Sequence, residues 1–309
     1  MTKKKILITG ANGYIGERLF NRLKSNHAFE VIGVSRSPKT SEIIFIDWND
    51  VDSIKRACKG IETIVHLAAM NASDSAKDPT NSYQANVVNT SRLFEAAKAE
   101  NVRRFIYAST AHVYGSPLIG NIDEGALTRP MHPYSIGHKA AEDIVLSSDN
   151  HISGVVLRFA NGYGAPISRN VDCWSLFVND LCRQITKNGV GEIRSNPSQM
   201  RNFISLENIV NSIIHVINLS EDHLSNRVFN VGSMSSMRLS EMAHLIQQRS
   251  KALLGFKPNL IFSNKDDDSE SKNLVLNYSI CKLASTGFIP KQDEAEEIDQ
   301  LLLYCHKLN

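Results

Sequence analysis

Three glycines, Gly10, Gly13 and Gly16, stand three residues apart directly after the apolar run Ile6-Leu7-Ile8. That spacing, between a strand and a helix, suits a loop that cradles phosphate. Gly10 permits a tight turn, Gly13 lets the backbone approach a pyrophosphate, and Gly16 lets the new helix pack on the sheet. Asn12 lies inside the loop. The backbone amides that open the helix, from Tyr14 and Ile15 onward, would face the anion. Two further segments carry polar chemistry. Phe105-Ile106-Tyr107-Ala108-Ser109-Thr110 sets two hydroxyls at the end of an apolar run, and His132-Pro133-Tyr134-Ser135-Ile136-Gly137-His138-Lys139 follows about 20 residues later. Tyr134 and His138 are four apart, and on a helix such positions share a face.

These residues need elements to hold them. Short β-rich runs over 5–9, 30–34, 43–46, 63–67, 105–109 and 155–159 alternate with helical patterns over 14–23, 52–58, 81–99 and 134–147. Strict alternation predicts an α/β fold with a doubly wound parallel sheet of the Rossmann type. Ligands of such sheets bind at the carboxyl ends of the strands. Gly10, Arg36, Asp47, Ala68, Ala69, Ser109, Thr110 and Asn161 collect there. Beyond about residue 164 the alternation fails. Helices are predicted over 171–187 and 239–250, and a helix over 206–219 with a strand over 227–231 rejoins the sheet. The expected division is a dinucleotide-binding domain from 1–164 with 205–232, and a smaller C-terminal α/β substrate lobe from 165–204 with 233–309. The charge run over 265–270 reads as a solvated loop, and the chain has no internal repeat.

Together these segments resemble the extended short-chain dehydrogenase/reductase family, in its NAD(P)-dependent epimerase and dehydratase branch that acts on nucleotide sugars. His66-Leu67-Ala68-Ala69, Asp78-Pro79 with Tyr83 and Asn86, Leu157-Arg158-Phe159-Ala160-Asn161, Arg201-Asn202-Phe203-Ile204 and Phe229-Asn230-Val231-Gly232 fall in the family's order. The resemblance implies that Tyr134 is the general acid or base on a sugar hydroxyl or carbonyl, with Thr110 sharing its hydrogen bond. A phenol can deliver a proton to a nascent alkoxide if its pKa is brought toward neutrality. The resemblance also implies cofactor contacts from Leu67, Ala68, Ala69, Asn86 and Tyr134, and an adenine contact from Asp47 with Trp48. Asn161 is implied as a substrate contact, Arg201 as a partner for the nucleotide diphosphate, and a homodimer through the helices over 81–99 and 134–147.

Three positions particularise the expectation. The family carries lysine four residues after the tyrosine, where it binds the nicotinamide ribose and lowers the phenol pKa, whereas this chain has His138. Lys139 is turned away by about 100° on a helix. A histidine can hydrogen-bond a ribose but is uncharged near neutral pH. Thr110 is followed by Ala111-His112 rather than the acidic pair of the sugar dehydratases, which disfavours dehydration. The second strand ends in Val34-Ser35-Arg36-Ser37. A guanidinium with two hydroxyls suits a 2′-phosphate and offers no carboxylate to a free ribose hydroxyl.

The expectation is therefore an NADPH-dependent reductase of a nucleotide-activated keto-sugar, with NAD possible as cofactor. An NAD-dependent nucleotide-sugar epimerase is the close alternative, and a catalytically weak dinucleotide-binding protein the rival of another class. Composition agrees with a soluble globular chain: 309 residues, 42% hydrophobic and 21% charged. A net charge of +2 argues against a nucleic-acid partner. The five scattered cysteines show no metal-type spacing and read as reduced thiols. No apolar run reaches membrane-spanning length, and Lys3-Lys4-Lys5 does not open a signal peptide, so a cytoplasmic location is expected.

Overall fold

Buried apolar runs make the strands, and glycine or capping residues end them. The computed structural model describes residues 3–147, 152–224, 227–262 and 275–308. Ile6, Leu7 and Ile8 are fully buried in β1 (Lys4–Thr9). The chain then turns at Gly10, whose φ of +67° favours glycine, into α1 (Tyr14–Lys24). A Cβ on Gly16 would lie 2.1 Å from the Gly10 carbonyl oxygen, so only glycine lets α1 leave the loop at this angle.

There follow β2 (Phe29–Ser35), β3 (Ile43–Phe45), α2 (Val51–Cys58) and β4 (Thr63–His66). Asp50 caps α2 by accepting the Asp52 N–H. The helix expected over 81–99 is built from several pieces. After α3 (Ala72–Lys77), these are α4 (Pro79–Tyr83), a π-helical turn over Gln84–Val88, and α5 (Asn89–Ala99). Asp78 ends α3 and caps α4, accepting the Asn81 N–H at 3.0 Å, with Pro79 in the first turn.

Next come β5 (Arg104–Thr110), β6 (Gly120–Ile122), α6 (Pro133–Leu146), β7 (Ser153–Phe159), β8 (Asn161–Tyr163) and α7 (Phe177–Asn188). The helix expected from 171 begins only at Phe177, and Trp174 in the preceding stretch stacks on Tyr304. The remaining elements are β9 (Val190–Ile193), β10 (Met200–Ser205), α8 (Leu206–Asn218), β11 (Val228–Val231), β12 (Ser236–Arg238), α9 (Leu239–Leu254), β13 (Asn259–Phe262), β14 (Leu276–Tyr278), α10 (Cys281–Ala284) and α11 (Glu294–His306). The run expected as a loop over 265–270 lies outside the described residues.

Seven strands form the main sheet in the order β11-β7-β5-β4-β1-β2-β3. The pairings β1–β2, β1–β4, β4–β5 and β2–β3 are parallel. With helices alternating between them, this is the doubly wound Rossmann sheet that the sequence pattern predicts.

The chain divides into two compact units. The first takes 1–115, 128–158 and 212–229, and the second takes 116–127, 159–211 and 230–309. The second unit thus includes 116–127, 159–164, 205–211 and 230–232, which the sequence expectation assigns to the dinucleotide-binding domain. In the first unit, Leu7, Ile64, Leu93, Phe94, Phe105 and Val145 belong to one buried cluster. In the second, Leu181, Phe203, Met242, Ile246 and Leu301 belong to another.

One ion pair anchors α6 within the first unit. Arg158 on β7 donates from Nε and Nη2 to the Glu142 carboxylate at 2.9 and 2.7 Å, and from Nη1 to the Tyr114 hydroxyl at 2.8 Å. Ser109 on β5 donates to the same carboxylate at 2.5 Å. Glu142 is fully buried and Arg158 nearly so. Removing one partner would strand the other's charge away from water. Glu142→Ala is therefore expected to destabilise the fold by about 3–5 kcal/mol, read as a lowered denaturation midpoint. A loss below about 1 kcal/mol would show that water reaches the pair.

Candidate active site

Burial at the carboxyl ends of β1 and β4 forces every polar group there to find a partner. His66 closes β4 and is almost fully buried. Its Nδ1 lies 2.6 Å from Thr9 Oγ1 and its Nε2 lies 2.9 Å from Thr90 Oγ1. Thr90 donates its own proton to the Asn86 carbonyl, so it accepts from His66 Nε2–H. Nδ1 must then accept from the Thr9 hydroxyl. Thr9 Oγ1 in turn accepts the Leu67 and Ala68 N–H groups, both at 3.2 Å. Burial pushes the imidazole pKa down to about 3, so His66 stays neutral. One chain of hydrogen bonds thus ties β1, the 67–68 turn and α5 together.

Asn86 continues the scaffold. It is fully buried, its Oδ1 accepts the Met70 N–H at 2.7 Å, and its Nδ2 reaches Met70 O and Ser82 Oγ. Its amide thus shapes the loop, where the resemblance implies a direct contact. The π turn then brings Gln84, Ala85 and Asn89 to a cavity that the straight helix expected from sequence does not predict. Such insertions recur at functional sites.

That cavity lies in the first unit, has a volume of about 490 Å³, and is of the size that small-molecule sites take. Of the residues read from sequence, Gly10, Ser35, Arg36, Trp48, Ala68 and Ala69 line it. A Cβ on Gly10 would lie 2.9 Å from Ala68 N, so the loop and the turn meet closely. Sequence reasoning missed Met70, Asn71, Asp74, Asn81, Gln84 and Asn89 on its wall. The cap pattern Asn71-x-x-Asp74, where Asn71 accepts the Asp74 N–H, is the signal that was there to find. Arg36 is exposed at the wall and makes no hydrogen bond or ion pair among the described residues.

Asn12, Gly13, Tyr14, Ile15, Ser37 and Asp47, expected at the cofactor, are not on the cavity's wall. Asn12 donates to the Ser37 carbonyl at 2.8 Å, joining the glycine loop to the end of β2. Asp47 accepts the Asn49 N–H at 2.9 Å. Arg92 donates to the Trp48 carbonyl at 2.7 Å. Gly13 stands as N-cap, with Tyr14 and Ile15 in the first turn of α1.

The proton-transfer candidates sit on β5 and α6. Pro133 opens the helix, His132 Nδ1 accepts the Tyr134 N–H at 3.3 Å, and Ser135 closes the cap. Tyr134 is half-buried, and Thr110, buried at the end of β5, is its hydrogen-bond partner. Burial pushes the phenol up from its ordinary value, and the Thr110 hydroxyl pulls it partly back. His138 meets Tyr134 edge to face at 4.4 Å between ring centroids. Its Nδ1 lies 2.7 Å from the Tyr107 hydroxyl, and its Nε2 is buried with no hydrogen-bond partner among the described residues. Burial, with a smaller contribution from His112, pushes this imidazole down to about 3. Lys139 pairs with Asp143 on the outer side of α6. Among the described residues, no cation therefore replaces the family lysine beside Tyr134.

In the second unit, Asn161 donates to the Asn202 carbonyl at 3.0 Å. Arg201 lines a separate cavity of about 250 Å³ with Ser175, Asp180, Gln184 and Arg194, and donates to Gln199. Burial lowers the Arg201 guanidinium pKa.

The chain belongs to the NAD dependent epimerase/dehydratase family, whose pattern it matches over residues 6–232. It is thus an extended short-chain dehydrogenase/reductase, in the class of NAD(P)-dependent oxidoreductases. A putative UDP-glucose 4-epimerase of Methanocaldococcus jannaschii is 24% identical over 98% of this chain and 99% of its own length. UDP-glucuronic acid 4-epimerase from Bacillus cereus, in complex with UDP-glucuronic acid and NAD, is similar with a TM-score of 0.82 and 23% identity. The similarity covers 99% of this chain and all of that one. RMD from Pseudomonas aeruginosa, complexed with NADPH, is similar with a TM-score of 0.80 and 19% identity, over 99% of this chain and all of that one.

With the phenol pKa raised, any step that needs the Tyr134 phenolate gains rate as pH climbs toward that pKa. His138→Lys would place a cation four residues along the same helix face and stabilise the phenolate. The expected result is a rate–pH profile whose rise moves to lower pH in His138→Lys. An unmoved profile, in a variant that still binds cofactor, would show that another group sets the ionisation.

Proposed function

We propose that the chain is an NAD-dependent 4-epimerase of a nucleotide-activated sugar. The observation that carries the reading is Tyr134 on α6 set against Thr110 at the end of β5, in a family member whose Gly10 borders a cavity of about 490 Å³. The residues present fit a nicotinamide dinucleotide. Gly10 and Gly16 have no room for a Cβ at the turn into α1, and His138 Nε2 is a buried polar atom with no partner among the described residues. The bound cofactor would supply a hydride acceptor that becomes a hydride donor.

The chain's own residues supply the rest. Tyr134 takes the proton of the sugar hydroxyl as that carbon is oxidised, and returns it when the carbon is reduced from the other face. Thr110 holds the phenol oxygen in place. His138 holds the ribose through Nε2 in place of the family lysine. In the second unit's own cavity, Arg201 is a forked donor of the kind that a diphosphate accepts.

Sequence alone favours an NADPH-dependent reductase. The similar proteins, a putative UDP-glucose 4-epimerase and a UDP-glucuronic acid 4-epimerase in complex with NAD, support epimerase and NAD instead. Two observations keep the reductase as a second reading. The raised Tyr134 pKa suits a proton donor, and Arg36 stands unpaired at the cavity wall, where a 2′-phosphate would find it.

Purified protein given UDP-glucose, UDP-glucuronic acid or UDP-N-acetylglucosamine with NAD separates the readings. An epimerase forms the 4-epimer with no net change in nicotinamide absorbance. A reductase consumes NADPH one for one with a keto-sugar. Binding without turnover of any sugar leaves only a dinucleotide-binding protein. Tyr134→Phe should lower turnover by at least about a hundredfold with cofactor affinity kept.

Cofactor choice is read at Arg36. If the guanidinium meets a 2′-phosphate, Arg36→Ala should cost NADPH about 1.5–3 kcal/mol of binding and leave NADH unchanged. Equal effects on the two would assign Arg36 to the shared part of the cofactor.

A homodimer through the stretches over 81–99 and 134–147, which the structure builds as α4, the π turn, α5 and α6, also belongs to the proposal. Tyr83, Val88 and Ile136 leave apolar surface on these elements. Sedimentation should give twice the chain mass, and a charged residue at Ile136 should lower it to one.

A further inference from the structure

We infer that Tyr107 is a positioning residue that fixes the tautomer of His138, so that a neutral imidazole presents an N–H where the family presents an ammonium. The inference rests on the proposed nicotinamide site and names what that site uses in place of lysine.

Tyr107 lies in the middle of β5 and is buried to 1% exposure. Its hydroxyl has a single partner among the described residues, His138 Nδ1 at 2.7 Å. That contact allows two arrangements. If Nδ1 carried the proton, the phenol oxygen would accept, and two groups would go unanswered in the core, the phenol's own proton and the Nε2 lone pair. If the phenol donates to Nδ1, only Nε2–H is left over. Unmet buried polar groups are costly, so the second arrangement is favoured and the imidazole proton resides on Nε2. The phenol keeps its proton to give, because burial and the nearby Tyr134 and Glu142 all disfavour its phenolate. Glu142 does not compete for it, since its oxygens are taken by Arg158 and Ser109.

Nε2–H is then the buried group without a partner. It is a donor, as an ammonium is, and matches a ribose hydroxyl oxygen. It differs from the ammonium in carrying no charge. It also cannot shuttle protons, because its far side ends on Tyr107, and Tyr107 meets only the core. His138 therefore binds and orients, and Tyr134 alone exchanges the proton.

Imidazole nitrogen NMR of cofactor-free protein carrying labelled histidine reads the tautomer directly. The expected His138 signals are an unprotonated Nδ1 and a protonated Nε2, unchanged between about pH 5 and pH 8. A protonated Nδ1, or a titration in that range, would overturn the inference. Tyr107→Phe, which removes one oxygen and keeps the ring, should mix the tautomers and weaken NAD binding by about three- to tenfold. In a His138→Gln background, whose amide N–H has no tautomer to set, the same Tyr107→Phe change should cost less than about twofold. Equal losses in the two backgrounds would mean that Tyr107 acts only by packing. A chain that binds no nicotinamide nucleotide would defeat the proposed function, while the NMR of the unbound protein would still decide the tautomer.

Discussion

An imidazole sealed from water is neutral and needs an answer for both its nitrogens, and two such imidazoles, His66 and His138, stand behind the carboxyl ends of the central strands. His66 is answered on both sides, by Thr9 and Thr90, and so becomes a fixed strut between β1, β4 and α5. His138 is answered on one side only. The difference separates scaffold from site. A satisfied buried network specifies one arrangement of backbone, whereas an unsatisfied buried atom costs free energy that a ligand can recover. The Leu67 and Ala68 amides, held on Thr9, inherit their places from the strut.

The same constraint explains the ion pair behind α6. Glu142 lies four residues beyond His138 and eight beyond Tyr134, so all three project along one side of the helix. Two buried charges do not buy much stability against an apolar alternative. They do fix rotation. A bidentate contact to Arg158, with Ser109 on the same carboxylate, allows α6 one angular setting against β5. That setting aims Tyr134 at Thr110 and His138 at Tyr107. Orientation is the contribution that proton transfer needs from a scaffold.

Much of this was legible in the sequence because it rests on local rules. Ile6-Leu7-Ile8 before Gly10 reads as a buried strand and its turn, and Gly16 as a close helix contact; both follow from sterics over a few residues. The setting of Lys139 away from Tyr134 follows from helix geometry, and its pairing with Asp143 agrees. The remainder depends on contacts far apart in the chain. The turn over Gln84–Val88 has no cue of its own, yet its extra residue per turn decides that Gln84 and Asn89 reach the cavity and Asn86 does not. Tyr107 reads as one more apolar strand residue until His138, 31 positions on, is placed against its hydroxyl. The stretch before Phe177 is not helical, and Trp174 within it stacks on Tyr304.

A neutral histidine in the lysine position also changes which half of an epimerisation is hard. Removing a proton from a sugar hydroxyl requires the phenolate, and returning it requires the phenol. An ammonium beside the tyrosine favours the first state; a desolvated site without one favours the second. Each tenfold loss of phenolate adds about 1.4 kcal/mol to the first half and nothing to the second. Here the Thr110 hydroxyl is the one group that the structure sets against that cost, by stabilising the phenolate oxygen. In the proposed epimerase, a raised phenol pKa would therefore weigh on the oxidative half. Charge from a bound oxidised cofactor would ease that half, whereas in a reductase the raised pKa needs no easing at all. Under the proposed function, the same pair of residues, Tyr134 and His138, would serve either chemistry, and the redox state of a bound cofactor would select between them.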